Sequence, residues 1–440
     1  MNAKTSFAND LVVATIKNAA KLPFYRDHWA GYDWKSITRV DQLSGIPVLS
    51  KPEMLKFLAG FEYTDKPALV SHSSGTSGTI TVRCRSKDEI KSLWNIRHDE
   101  KSRLEEVITP LVLSVDGANH GQMMPMPSTQ FALKAVGFDH AVIQHVIQQL
   151  GRTYNFPGVS TNIQAIDAPL GFIKLLTLEL MQRGIDPRTL GVRLLTTYGE
   201  YVSQKWTKWL QYCWNSNHID RYANSECVGG ATKCEKCGWF SFLPESWPEI
   251  VDPNSHETIS EGIGYLAMTE LYPFSQLQPM IRFVPGDIME VRSHNCDNKK
   301  QRTFRYLGRA DRALTTIDKG QTKFILFSAE VADALDSLCH LEREETFHTL
   351  PLPFHARDLA PPLCKLQLKD TGTVQVILVT LVPTFSPHVF KEEAEKLKAK
   401  TKEALLKYCS GLKNLIQSNE FAIEIRLQSS RDDITGFLAS

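Results

Sequence analysis

The chain has no apolar run of about 18 residues, the length a membrane-spanning helix needs, so no transmembrane helix is expected. Its first residues, Met1-Asn2-Ala3-Lys4-Thr5-Ser6, adjoin no apolar core of signal-peptide type. An excess of one charge sign is missing as well. The 50 Lys and Arg face 49 Asp and Glu, a net charge of +1, which leaves no electrostatic footprint for nucleic acid or an anionic membrane. Nine cysteines in 440 residues are odd in number and mostly isolated, which suits reduced thiols in a cytoplasm better than a disulfide framework. Internal repeats and low-complexity segments are absent. What remains is an ordinary soluble composition, 42% hydrophobic, long enough for two or three domains.

One stretch stands out against this background. Ser71-His72-Ser73-Ser74-Gly75-Thr76-Ser77-Gly78-Thr79 lies between an apolar run, Ala68-Leu69-Val70, and a β-branched run, Ile80-Thr81-Val82. Two strands joined by small, hydroxyl-rich residues read as a hairpin loop with an exposed backbone. Glycines let the main chain approach a ligand closely, and successive N–H groups with nearby hydroxyls suit anionic oxygens, so phosphate is the natural occupant. The Gly-Lys-Ser/Thr ending of a Walker loop is missing. The plain alternative is a flexible Ser/Thr/Gly loop.

Around this loop the pattern is α/β. Phe7, Ala8, Leu11, Val12, Ile16 and Ala19 have helical spacing, and a helix opens at Lys51 behind Ser50 as N-cap. Ser86 and Glu89 form a capping-box pattern for a helix running to about Leu104. Strand candidates are 111–115, 165–169, 192–197 and 218–222, with helices over 170–183 and 203–213 between them. Residues 138–147 fit a helix or a strand. Segments 249–251, 264–269, 280–283 and 288–291 read as strands, and the polar text 293–302 separates them from 305–309. A domain boundary is placed near Asp311, giving 1–310 and 311–440. The tail reads as a small α/β unit: a strand over 373–381, a charged helix over 391–409 and a strand over 421–427.

Ser73 to Gly78 resembles the phosphate loop of the adenylate-forming enzymes, the superfamily of acyl-CoA synthetases, adenylation domains and luciferases. Further matches follow in the family's order. They are Tyr198-Gly199-Glu200, Tyr222-Ala223-Asn224-Ser225-Glu226, Arg282-Phe283-Val284-Pro285-Gly286-Asp287 and Gly308-Arg309-Ala310-Asp311. Five short motifs in order are far more specific than any one. Leu22-Pro23-Phe24-Tyr25-Arg26, Ile46-Pro47-Val48-Leu49-Ser50-Lys51 and Glu249-Ile250-Val251-Asp252-Pro253 are similar to the phenylacetate–CoA ligase branch. The resemblance covers about 10–335. It implies a large N-terminal domain of mixed sheets with flanking helices and a β-rich subdomain, plus a small mobile α+β C-terminal domain.

The implied activity is ATP- and Mg²⁺-dependent activation of a carboxylic acid, an aryl acid by branch, to an acyl-adenylate. The acyl group then passes to CoA, or to an amine, hydroxyl or protein thiol. The implied roles follow the motifs. Ser73, Ser74, Gly75, Thr76, Ser77 and Gly78 cradle phosphates, with Thr76 among the catalytic residues, and Glu226 holds Mg²⁺. Tyr222 stacks on adenine, Glu200 lines its pocket, Asp287 accepts from the ribose hydroxyls, Arg309 contacts ribose or phosphate, and Asp311 is the hinge. Tyr201, Ala168 and His120 to Pro127 are candidates for the acid pocket. A homodimer is left open.

Two departures matter. Relatives often continue the loop with a lysine that is absent here, for which Arg83 or Arg85 are candidate substitutes. They also carry a catalytic lysine late in the small domain, whereas 428–438 contains none. Arg431 is the nearest cation there and Lys413 the other candidate; if neither serves, the chain is a nucleotide-binding protein that has lost its chemistry. Separately, Cys234-Glu235-Lys236-Cys237-Gly238 is a knuckle able to hold two of four zinc ligands, with Cys227 and His218 as candidates to complete it. Two free thiols in a loop are the alternative.

Overall fold

The computed structural model describes residues 3–63, 66–72, 80–101, 108–116, 131–296, 299–347, 350–351, 354–371, 374–431, 434 and 437–439. Helix α1 (Ala3–Ala19) buries Ala8, Val12, Ile16 and Ala19 along one stripe, as the spacing required. Helix α2 (Pro23–His28) starts on proline. Helix α3 (Lys51–Ala59) starts on a capping box in which the Ser50 N–H donates to the Glu53 carboxylate at 2.8 Å and the Glu53 N–H donates to Ser50 Oγ at 3.4 Å. Strands β1 (Leu69–His72) and β2 (Val82–Arg85) pair antiparallel, Leu69 opposite Arg85 and His72 opposite Val82. They flank the Ser/Thr/Gly loop as a hairpin should; Ser73 to Thr79 lie outside the described residues, as do 120–127.

After α4 (Lys87–Lys101) come β3 (Thr109–Asp116), β4 (Phe131–Val136), α5 (His140–Leu150), β5 (Val159–Pro169), α6 (Leu170–Gln182), β6 (Leu194–Tyr198), α7 (Gln204–Trp214) and β7 (Asn217–Tyr222). The segment with two readings is helical. Asp139 Oδ1 accepts the Val142 N–H at 3.0 Å, and Ile143, Val146 and Leu150 are buried at helical spacing. Strands β3 to β7 are parallel, in spatial order β4-β3-β5-β6-β7.

The same sheet continues antiparallel through β8 (Ala231–Lys233), β9 (Phe240–Phe242), β10 (Ser246–Val251), β11 (Thr258–Ile259), β12 (Gly262–Glu270), β13 (Asp287–Cys296) and β14 (Lys299–Arg309). The twelve-stranded order is β11-β10-β12-β13-β14-β9-β8-β7-β6-β5-β3-β4. Two expectations are corrected here. The polar text 293–302 is no separator; it is the tip of the β13–β14 hairpin, with Cys296 opposite Lys299. Met280 to Phe283 is not a strand, because side-chain acceptors take its N–H groups: Met280 N donates to Glu270 at 2.9 Å and Arg282 N to Thr269 Oγ1 at 3.0 Å. Arg282 consequently sits at φ 51°, and only single bridges join Phe283 to Leu49 and Met268.

Beyond Arg309 lie the hairpin β15 (Leu314–Asp318) and β16 (Gln321–Leu326), helix α8 (Ser328–Asp336) and the short pair β17 (Thr346–Phe347) and β18 (Leu350–Pro351). Strands β19 (Cys364–Asp370) and β20 (Gln375–Leu381), helices α9 (Lys391–Tyr408) and α10 (Leu412–Gln417), and strands β21 (Phe421–Leu427) and β22 (Phe437–Ala439) follow. The last four strands form a mixed sheet, β21-β20-β19-β22, over a core of its own that includes Val331, Leu335, Leu366, Val379 and Leu405. The charged text of α9 covers an inward stripe of Ala394, Leu397, Thr401, Ala404 and Leu405. No helix among the described residues is long and apolar enough to cross a membrane.

Helix α8 docks onto the start of α7. Asp333 accepts the Gln204 N–H at 2.8 Å and the Tyr201 hydroxyl at 2.6 Å, and Asp336 accepts Ser203 Oγ at 2.8 Å. A carboxylate from another helix thus satisfies an N–H at the α7 N-terminus, where Ser203 makes no cap of its own.

The loop hairpin is anchored by buried charge. Glu270 accepts from Arg83 at 3.1 Å, Arg85 at 2.8 Å and Ser275 Oγ at 2.7 Å, and Arg85 also faces Glu89 at 3.6 Å. All four charged groups are at most 5% exposed. Burial alone would raise the Glu270 carboxyl, but the Arg85 and Arg83 guanidiniums and the Val228 N–H hold it down to about 2.

Two outcomes follow. Since the Glu270 pKa falls on folding from 4.5 to about 2, its carboxylate contributes fully above about pH 4.5 and that stability is lost as pH drops toward 2. Glu270→Gln is expected to cost about 3–5 kcal/mol and to flatten that acid slope in denaturant titrations; an unchanged slope would contradict the network. Asp333→Ala is expected to cost about 1–2 kcal/mol and to speed amide exchange at residues 201–206, read by mass spectrometry; unaltered exchange there would refute the docking role.

Candidate active site

Three strands of the large sheet bring distant motif residues together. Tyr222 ends β7, Asp287 begins β13 and Arg309 ends β14. The Tyr222 hydroxyl donates to Asp287 Oδ2 at 2.6 Å, and Arg309 Nη1 lies 3.5 Å from Asp287 Oδ1. Arg309 also donates to the Pro285 carbonyl at 2.9 Å and lies 3.8 Å from exposed Asp311. Gly286, at φ 91°, makes room for this: a Cβ there would sit 3.3 Å from the Arg309 guanidinium. The Tyr222 ring packs against Phe242 and Tyr306 at 5.9 Å each. Burial raises the Asp287 carboxyl; Arg309 and Tyr222 oppose that, and nearby Glu226 adds to it.

Glu226 stands on the turn after β7. Arg83 Nη1 donates to its backbone carbonyl at 2.6 Å, while its half-buried carboxylate receives Ser225 Oγ at 3.1 Å. Hard oxygen donors from Glu226, with Asp287 close enough to repel it, suit Mg²⁺. Arg83 and Arg85 are corrected as loop cations. Both are buried on Glu270, and Arg83 also donates to the Gln278 carbonyl at 2.7 Å. Their place in the strand points them into the protein, not into the loop.

Glu200 follows β6, half-buried; burial takes the Lys174 pKa down to about 8 against the opposing charge of Glu200, and burial raises the Glu344 carboxyl, with Arg312 opposing and Glu200 adding to it. Tyr201 gives its hydroxyl to Asp333 and stacks on Tyr306 at 6.2 Å. Ala168 is fully buried in the core below, so it lines no open pocket. Arg431 is held by the Glu345 carboxylate and donates to the Arg343 carbonyl at 2.9 Å. Lys413 is exposed on α10. The loop residues Ser73, Ser74, Gly75, Thr76, Ser77 and Gly78 lie outside the described residues.

The cysteine expectation is half corrected. Cys234 and Cys237 do meet a third donor, but it is Cys296, with the three sulfurs within 4.8 Å of one another. His218 is buried on β7 with its Nε2 2.8 Å from Thr197 Oγ1, and burial takes its pKa down to about 4. Cys227 lies beside Glu270 and Arg83, its thiol pushed up by burial.

Several residues of this region had no motif to mark them. Tyr306 and Cys296 enter only through the strand order, and Asp333 only through the docking of α8 on α7. No sequence signal marks the β2 arginines as structural; in the fold Arg83, Cys84 and Arg85 are all buried in a row.

No protein-family profile and no curated protein sequence matches the chain. Solved structures do. A 2-hydroxyisobutyryl-CoA ligase in an open conformation, in complex with 2-HIB-AMP and CoA, is similar with a TM-score of 0.69 and 14% identity, over 98% of this chain and 90% of that one. A GH3.15 acyl acid amido synthetase is similar with a TM-score of 0.55 and 12% identity, over 97% and 86%. ATP-bound MatB from Rhodopseudomonas palustris is similar with a TM-score of 0.50 and 12% identity, over 86% and 67%. The chain has the fold of the adenylate-forming enzymes.

Proposed function

We propose that this protein activates a carboxylic acid with ATP and then transfers the acyl group, CoA being the first acceptor to test. The observation that carries the reading is the meeting of Tyr222, Asp287 and Arg309 beside Glu226. An aryl acid is the first substrate class to test, on the branch resemblance. In the first half-reaction a carboxylate oxygen attacks the α-phosphorus, and the bond to the β-phosphate breaks. Acyl-AMP forms and pyrophosphate leaves with the bond's electrons. Such chemistry asks the protein mainly for positioning and charge neutralisation.

In this reading the backbone and hydroxyls of Ser73 to Gly78 hold the phosphates, and Thr76 contacts the reacting group. Asp287 turns its carboxylate to the ribose hydroxyls, Arg309 contacts ribose or phosphate, and the Tyr222 ring and Glu200 border adenine. Glu226 would hold Mg²⁺, which neutralises charge on the phosphates when bound. Residues 1–310 and 311–440 are the two moving parts, with Asp311 as hinge. Arg431 must leave Glu345 to reach a substrate. A second reading gives the acyl group to an amine, supported by likeness to an amido synthetase along nearly the whole chain.

The test is pyrophosphate release from ATP and Mg²⁺ across a panel of aryl, fatty and amino acids, followed by a screen of CoA, amine, hydroxyl and protein-thiol acceptors. Release should depend on one acid class, and Glu226→Ala should lower it by about 100-fold or more. Acid-independent release, or a mutant as active as wild type, would sink the proposal.

A further inference from the structure

Two hairpin tips meet at one end of the large sheet. Cys234 follows β8 directly, and the turn it opens is closed by two backbone bonds: Gly238 N to Cys234 O at 2.8 Å and Cys234 N to Trp239 O at 2.9 Å. Gly238 adopts φ 72°, which lets Cys237 end the turn. The Cys234 sulfur accepts from the backbone N–H groups of Lys236 and Cys237. From the neighbouring hairpin, Cys296 at the end of β13 reaches the same point, its sulfur 3.6 Å from that of Cys234.

We propose that Cys234, Cys237 and Cys296 form a thiolate site for a soft divalent ion of the zinc class, joining the two tips. Zinc–sulfur bonds of about 2.3 Å in a tetrahedron set sulfurs about 3.8 Å apart, and the three here lie 3.6 Å apart at one pair and within 4.8 Å overall. A disulfide would use two of the three and leave one stranded. Thiolates select zinc-like ions over Mg²⁺. Binding releases three protons to solvent as three thiols become thiolates. All three cysteines are partly exposed, so the fourth position is open to water. The consequence reaches the nucleotide side. Lys233, next to Cys234, pairs with Asp220 at 3.6 Å and lies over the Tyr201 ring at 6.0 Å. An ion that fixes Cys234 fixes the strand holding those contacts.

The experiment is metal analysis of the full chain purified with zinc and without chelator. About one zinc per chain is expected. Cys237→Ser and Cys296→Ser should each lower retained zinc at least about tenfold, with Cys339→Ser, an exposed thiol elsewhere, unchanged. Because either variant could misfold, wild-type protein is also loaded with Co²⁺ and alkylated with and without chelator. A sulfur-to-cobalt charge-transfer band, and protection of these three thiols that chelation removes, are the results expected. Zinc kept by Cys296→Ser would overturn the site. So would equal alkylation of the three thiols with and without zinc, or a Cys234–Cys296 disulfide in the zinc-treated protein.

Discussion

One buried carboxylate organises the site region. Glu270 receives two guanidiniums, a hydroxyl and the N–H groups of Val228 and Met280. It therefore ties together β2, which follows the Ser/Thr/Gly loop in the chain, the turn that carries Glu226, and the segment leading to Asp287. Arg83 makes the link direct, since the guanidinium that meets Glu270 also holds the Glu226 carbonyl. Such a network is unforgiving: fully paired it fixes one arrangement, and each orphaned charge is costly. Loop, metal-ligand candidate and ribose-acceptor candidate share this single anchor.

The sheet does the rest. Strand β7 pairs parallel with β6 on one side and antiparallel with β8 on the other. Tyr222 sits at its carboxyl end, where the sheet changes character, the kind of crevice in which open α/β sheets take ligands. The antiparallel half then delivers Asp287 and Arg309 as direct neighbours in register. From the other side Asp333 holds Tyr201 and the α7 N-terminus, so the segment after Glu200 is gripped by a helix from far along the chain.

Local signals were legible in the sequence where local physics decides. The capping boxes at Ser50 and Ser86, the stripe of α1 and the parallel strands ending at Tyr198 and Tyr222 all appear as read. What escaped depends on tertiary partners. Met280 to Phe283 has strand composition, yet Glu270 and Thr269 capture its backbone. The polar text around Cys296 looks like a linker because both faces of a hairpin tip meet solvent. Arg83 and Arg85 read as free cations until Glu270, far along the chain, claims both. Cys296 could not be matched to Cys234 and Cys237 without the strand order that sets β14 between β9 and β13.

The proposed product of this site is an acyl-adenylate. Its most direct measurement is a single turnover of enzyme with ATP, Mg²⁺ and each acid in turn, without any acceptor, quenched and examined by mass spectrometry. The expected result is about one acyl-AMP per chain, held by the protein, with one acid class. ATP bound but intact with every acid would contradict the claim and leave a nucleotide-binding protein on an adenylate-forming fold.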